Sequence, residues 1–135
     1  MKILRNVLAI ILGIVVGSVV NMFLVMKGTL PEGVNMKNLS ESMHLLEAKH
    51  YFFPILGHAI GTLVGALIAA IIAFNDKFKF ALAISVFFFI GGIANIYMLL
   101  FPVIPAIVDL SIAYFPMGLL AWSIYGLFTK NNNIS

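Results

Sequence analysis

Four long runs of the chain carry almost no charge, and nothing else in the sequence limits its fold as tightly. They cover residues 7–26, 51–74, 80–100 and 103–128, and the only acid, lysine or arginine among them is Asp109. A bilayer core needs about 20 consecutive apolar residues as a helix. Backbone groups cannot be left unpaired in hydrocarbon, so runs of this length are helices rather than open strands. The alternating pattern of a membrane barrel is absent. Apolar residues make up 62% of the chain and charged residues 10%. Soluble domains have roughly 45–50% and 25%. Too few polar side chains remain to coat a water-soluble domain, which excludes soluble globular, disordered and nucleic-acid-binding classes. The expected fold is an all-α polytopic membrane bundle of four helices, forming one membrane domain over 1–135, with the lipid bilayer as its first partner.

The first run follows Lys2 and Arg5 and so looks like a signal peptide. It is about twice the usual length of a signal core, and no small-x-small cleavage site precedes Lys27, so it is expected to stay as the first span. Four spans place both termini on one side with Lys2, Arg5, Lys77, Lys79 and Lys130. The other side holds Lys27, Lys37 and Lys49. The lysine and arginine bias predicts that both termini are cytoplasmic. The loop 27–50 is the long connection. It is irregular around Gly28, Pro31 and Gly33, and is expected to form a short helix from about Asn38 or Ser40, acting as an interfacial helix or a lid. Pro54 is expected to start or kink span two, and Pro116 to kink span four.

Small residues recur every four positions in two spans. Span two has Gly57, Gly61, Gly65, Ala69 and Ala73, and span one has Ala9, Gly13 and Gly17, then Asn21. Each ladder is a helix stripe without bulk, on which another backbone can pack closely. The stripes either pack spans one and two within the chain or form the seam of a homodimer or larger complex. Gly91, Gly92 and Ala94 offer a similar surface on span three.

Polar residues inside the spans are few and level. Asn21, His58, Asn95 and Asp109 each lie four or five residues from the same end of their helices, roughly 6–8 Å deep at 1.5 Å per residue. Such groups are expensive in lipid and should face the bundle interior. A lone Asp109 carboxylate must take up a proton or find a partner, and His58 is the basic group inside a span. Tyr97, Ser111 and Tyr114 are further donors. The ring is therefore either a hydrogen-bonded collar that sets helix register or a pocket opening outward, in which His58 and Asp109 bind or pass a small solute or ion with proton linkage.

The loop also contains His44, Glu47 and His50, spaced as His-x-x-Glu-x-x-His. Glu-x-x-His occurs in di-iron bundles, and these groups could bind zinc or another divalent ion as part of a metal-dependent membrane enzyme. Glu47 and His58 are about 16 Å apart along a continuous helix, so both could reach one ion only across a sharp bend. No phosphate-binding loop, dinucleotide fingerprint or nucleophile elbow is present, so no cofactor is named. The chain has no cysteine, which removes thiolate chemistry.

The segments 46–50, Gly57-His58-Ala59, 61–65 and 91–95 give the chain a pattern that resembles small uncharacterised four-span integral membrane proteins of bacteria. The resemblance implies a four-span bundle and an inner-membrane location, and carries no activity. In size and span number the chain is also similar to small multidrug exporters and fluoride channels. The first of these carry a glutamate in span one, where this chain has only Asn21, so that likeness stops at the fold.

Overall fold

The computed structural model describes residues 1–133 as an all-helical bundle, with no strand among them. In chain order the helices are α1 (Lys2–Val25), α2 (Ala48–Ile72), α3 (Lys77–Leu99), α4 (Val103–Ile112) and α5 (Phe115–Asn132). Four segments are long and apolar enough to cross a membrane: α1, α2, α3, and α4 with α5 taken together. α2 is the central helix and packs against all the others. Large apolar side chains such as Val19, Phe23, Ile90, Ile107 and Leu127 stand outward. That exterior suits hydrocarbon, while the interior is lined mainly by alanine and glycine.

The glycine ladders meet inside one chain. A Cβ added to Gly65 would lie 2.5 Å from the Gly13 carbonyl oxygen, and one added to Gly17 would lie 2.7 Å from that of Gly61. Both stripes are occupied by the α1–α2 contact, so a second copy would have to dock elsewhere.

At one end of the bundle, charged groups close the helix termini. The last carbonyls of α2 have no partner within the helix. Arg5 donates to the Ile72 carbonyl and Lys77 to those of Ile71 and Ala73. Cations are favoured there by the helix dipole as well. Asn6 Oδ1 accepts the Phe74 N–H at 2.8 Å, and Asn6 Nδ2 donates to Asn75 Oδ1 at 3.1 Å. Through these contacts α1 and α3 begin a few residues before their apolar runs.

The other end is covered by the long loop, and two expectations are corrected there. The segment from 38 is not a helix of useful length: it is a series of turns and one 3₁₀ turn, Met43–Leu45. The Asn38 side chain accepts the Asn35 N–H and donates to the Gly33 carbonyl, which offers the backbone an alternative to helix. Leu39 and Met43 still turn inward, onto Tyr51, Ile55 and Leu99. Pro54 does not start α2. The helix begins at Ala48, because Glu47 and His50 cap it reciprocally: the Glu47 carboxylate accepts the His50 N–H, and the Glu47 N–H donates to His50 Nδ1 at 2.8 Å.

Span four is broken rather than kinked. α4 ends at Ile112 and α5 begins at Phe115, with Ala113 and Tyr114 between them. Pro116 has no N–H to give the Ile112 carbonyl, and its ring opposes a continuous helix at that point.

Candidate functional site

The break in span four builds the polar site. His58 stands on α2 and Asp109 on the last turn of α4, and the break turns Tyr114 back toward both. His58 Nδ1 lies 2.8 Å from Asp109 Oδ1, and the Tyr114 hydroxyl donates to Asp109 Oδ2 at 2.8 Å. The hydroxyl is also 3.2 Å from His58 Nδ1. Asp109 is 2% exposed and Tyr114 1%. The His58 side chain is 13% exposed. Neutral packing surrounds the cluster. Ala59 and Ala113 lie against Tyr114, Phe89 meets its ring edge-on, and the His58 ring stacks at 6.0 Å.

Two small details of sequence make room for it. A Cβ on Gly92 would lie 2.2 Å from the Tyr114 oxygen, so α3 must carry glycine there. Thr62, fully buried, donates its hydroxyl to the His58 carbonyl at 2.7 Å and satisfies itself within the helix.

The hydrogen-bond roles follow from the distances. A carboxylate only accepts. Nδ1 is therefore the protonated ring nitrogen of His58 when the ring is neutral, and the hydroxyl proton of Tyr114 goes to Oδ2. Both carboxylate oxygens are then occupied. His58 Nε2 hydrogen-bonds to none of the described residues, and it is the one open position of the cluster.

The other predicted residues fall elsewhere. Asn21 does not join His58. It lies across α2 from it, in the α1–α2 seam, where its Oδ1 is buried against Gly57 with no hydrogen-bond partner. Asn95 is half-buried one turn beyond Gly92 and hydrogen-bonds to none of the described residues. Tyr97 and Ser111 point outward. Four level residues thus reduce to two, and Tyr114 supplies the third member.

The loop trio does not form a metal site. Glu47 and His50 use the carboxylate and Nδ1 for capping, His44 is exposed on the 3₁₀ turn, and no three His, Asp or Glu side chains converge among the described residues. α2 runs unbroken past Pro54, which keeps Glu47 and His58 apart. Comparison with family models, curated proteins and solved structures gives no match.

Tyr114→Phe isolates one bond of the cluster. Hydrogen bonds to charged groups are worth about 1.5–3 kcal/mol in water-soluble folds, whereas interhelical bonds in membranes average about 0.6 and reach about 1.7. Burial against a carboxylate puts this one near the top of the membrane range. The variant is expected to lose about 1–2 kcal/mol in a detergent unfolding titration.

Proposed function

We propose that this chain is a small integral inner-membrane protein, with both termini cytoplasmic, that handles a small cationic solute or ion in exchange for protons at His58 and Asp109. The supporting observation is a His–Asp–Tyr cluster with Asp109 and Tyr114 buried and His58 partly exposed, whose one ring nitrogen left open is His58 Nε2. With the ring neutral and Asp109 ionised, the cluster carries one net negative charge in an apolar surround, and such a charge demands compensation. A proton on Nε2 compensates it as an imidazolium–carboxylate pair, and a bound cation does so in its place. Proton and cation therefore compete for one net charge. Orientation rests on Lys2, Arg5, Lys77, Lys79 and Lys130 gathering at one end.

The test uses proteoliposomes loaded with a fluorescent pH indicator and given inward gradients of sodium, potassium or tetramethylammonium in turn. At least one cation should shift the internal pH with the wild type and not with Asp109→Asn, reconstituted to equal density. If none does, or if Asp109→Asn responds like the wild type, proton exchange at this cluster is wrong. The near-complete burial of Asp109 and Tyr114 favours a second reading, a structural or accessory subunit whose cluster only fixes helix register.

A further inference from the structure

We propose that the groove between the first turn of α3 and the last turns of α5 binds an anionic phospholipid. The groove is at the charged end, has a volume of about 660 Å³, and is unrelated to His58 and Asp109. Three lysines line it, Lys77, Lys79 and Lys130, against one acid, Asp76. Lys77 turns inward, to the α2 carbonyls and over the Tyr125 ring at 5.4 Å. Lys79 reaches Asp76 at 3.4 Å, both exposed, which is a weak pair. The Lys130 ammonium has no acid partner among the described residues.

The walls select a lipid over a free anion. Trp122 is half-exposed in the groove, packed edge-on against Phe78 at 5.2 Å, and Leu127 continues the apolar surface. Trp122 and Lys130 are eight residues apart on one helix, about 12 Å along its axis. Seated there, a phospholipid places its phosphate at Lys130 and Lys79 and its upper acyl chain along Trp122. Tryptophan and tyrosine favour this interfacial depth, and basic pockets between helices are suited to anionic headgroups. The opposite end has no such bias: Lys27, Lys37 and Lys49 are matched by Glu32, Glu41 and Glu47.

Trp122 is the only tryptophan, so its fluorescence reports on this groove alone. The protein is reconstituted in phosphatidylcholine vesicles containing brominated phosphatidylglycerol, and in phosphatidylglycerol vesicles containing brominated phosphatidylcholine at the same mole fraction. The brominated anionic lipid should quench Trp122 more strongly. Each lysine near the surface contributes about fivefold to anionic-lipid preference. Lys130→Gln should therefore lower the ratio about fivefold, and Lys79→Gln with Lys130→Gln should bring it near unity, while Lys49→Gln leaves it unchanged. Lys79 and Lys130 are exposed, so their removal does not disturb packing, and an unchanged Trp122 emission maximum in plain phosphatidylcholine checks this. Equal quenching by the two lipids in the wild type, or a preference that survives the double variant, overturns the proposal. So does full relief of quenching by inorganic phosphate, which would make the site a simple anion site.

Discussion

Gly65→Leu should prevent the bundle from forming, while Gly91→Leu should be close to neutral. The two positions differ only in what surrounds them. A Cβ at Gly65 meets the Gly13 carbonyl oxygen at 2.5 Å and the Gly17 Cα at 3.3 Å. These are backbone atoms and cannot rotate away, so α1 must separate from α2. Overpacking a core costs typically about 1–3 kcal/mol when side chains absorb it, and more when they cannot. Separation also forfeits the dispersion contacts along the whole seam, which in lipid are the main attraction between helices. A loss beyond about 4 kcal/mol exceeds much of the stability of a chain this size. Gly91 has nothing within 4 Å of an added Cβ and faces outward, where leucine is welcome in hydrocarbon. Monodisperse yield from detergent and the midpoint of a denaturing-detergent titration would compare the two. If both glycines tolerate leucine, the seam is not the close backbone contact described above.

The same seam explains which parts of the polar site were legible in sequence. Span number and approximate limits follow from uninterrupted hydropathy, and the small-residue stripes follow from four-residue spacing. Depth was legible too: His58 and Asp109 are level, and they meet. Depth, however, gives height and not direction. Asn21 continues the stripe of Ala9, Gly13 and Gly17, so it faces α2 through Gly57 and Gly61. His58 follows Gly57 by one residue and is turned about 100° away from that stripe. The two cannot share a pocket, and the spacing that exposed the ladder already contained this conflict. Tyr114 is the reverse case. As part of a continuous helix it has no special relation to Asp109, five residues earlier. Only the break ahead of Pro116, read in sequence as a kink, brings its hydroxyl onto Oδ2. The start of α2 was obscured differently. His44, Glu47 and His50 have the spacing of ligands, but Glu47 and His50 spend their polar atoms on a reciprocal cap, a use that also requires three-residue spacing.

Replacing the cluster by apolar groups separates its contribution to folding from its contribution to function. His58→Leu alone leaves Asp109 buried, with only the Tyr114 hydroxyl to satisfy it. Removing one partner of a buried pair costs about 3–5 kcal/mol, because the other is left uncompensated. Asp109→Leu alone leaves His58 Nδ1–H only the Tyr114 oxygen at 3.2 Å and orphans the Tyr114 hydroxyl proton, at about 1–3 kcal/mol. The triple variant His58→Leu, Asp109→Leu, Tyr114→Phe leaves nothing polar behind. Well-packed apolar replacements of buried ionic groups are often neutral or stabilising, so the triple should regain most of what His58→Leu loses. Trp122 fluorescence during denaturing-detergent titration would measure all three proteins. A His58→Leu variant as stable as the wild type would mean that the 2.8 Å contact between His58 and Asp109 carries no energy. A triple variant that folds and no longer couples a cation gradient to internal pH would assign the cluster to function, since its register role would then have been met by leucine and phenylalanine. A triple variant that folds and still couples them would remove His58 and Asp109 from the mechanism and leave them as helix-setting residues.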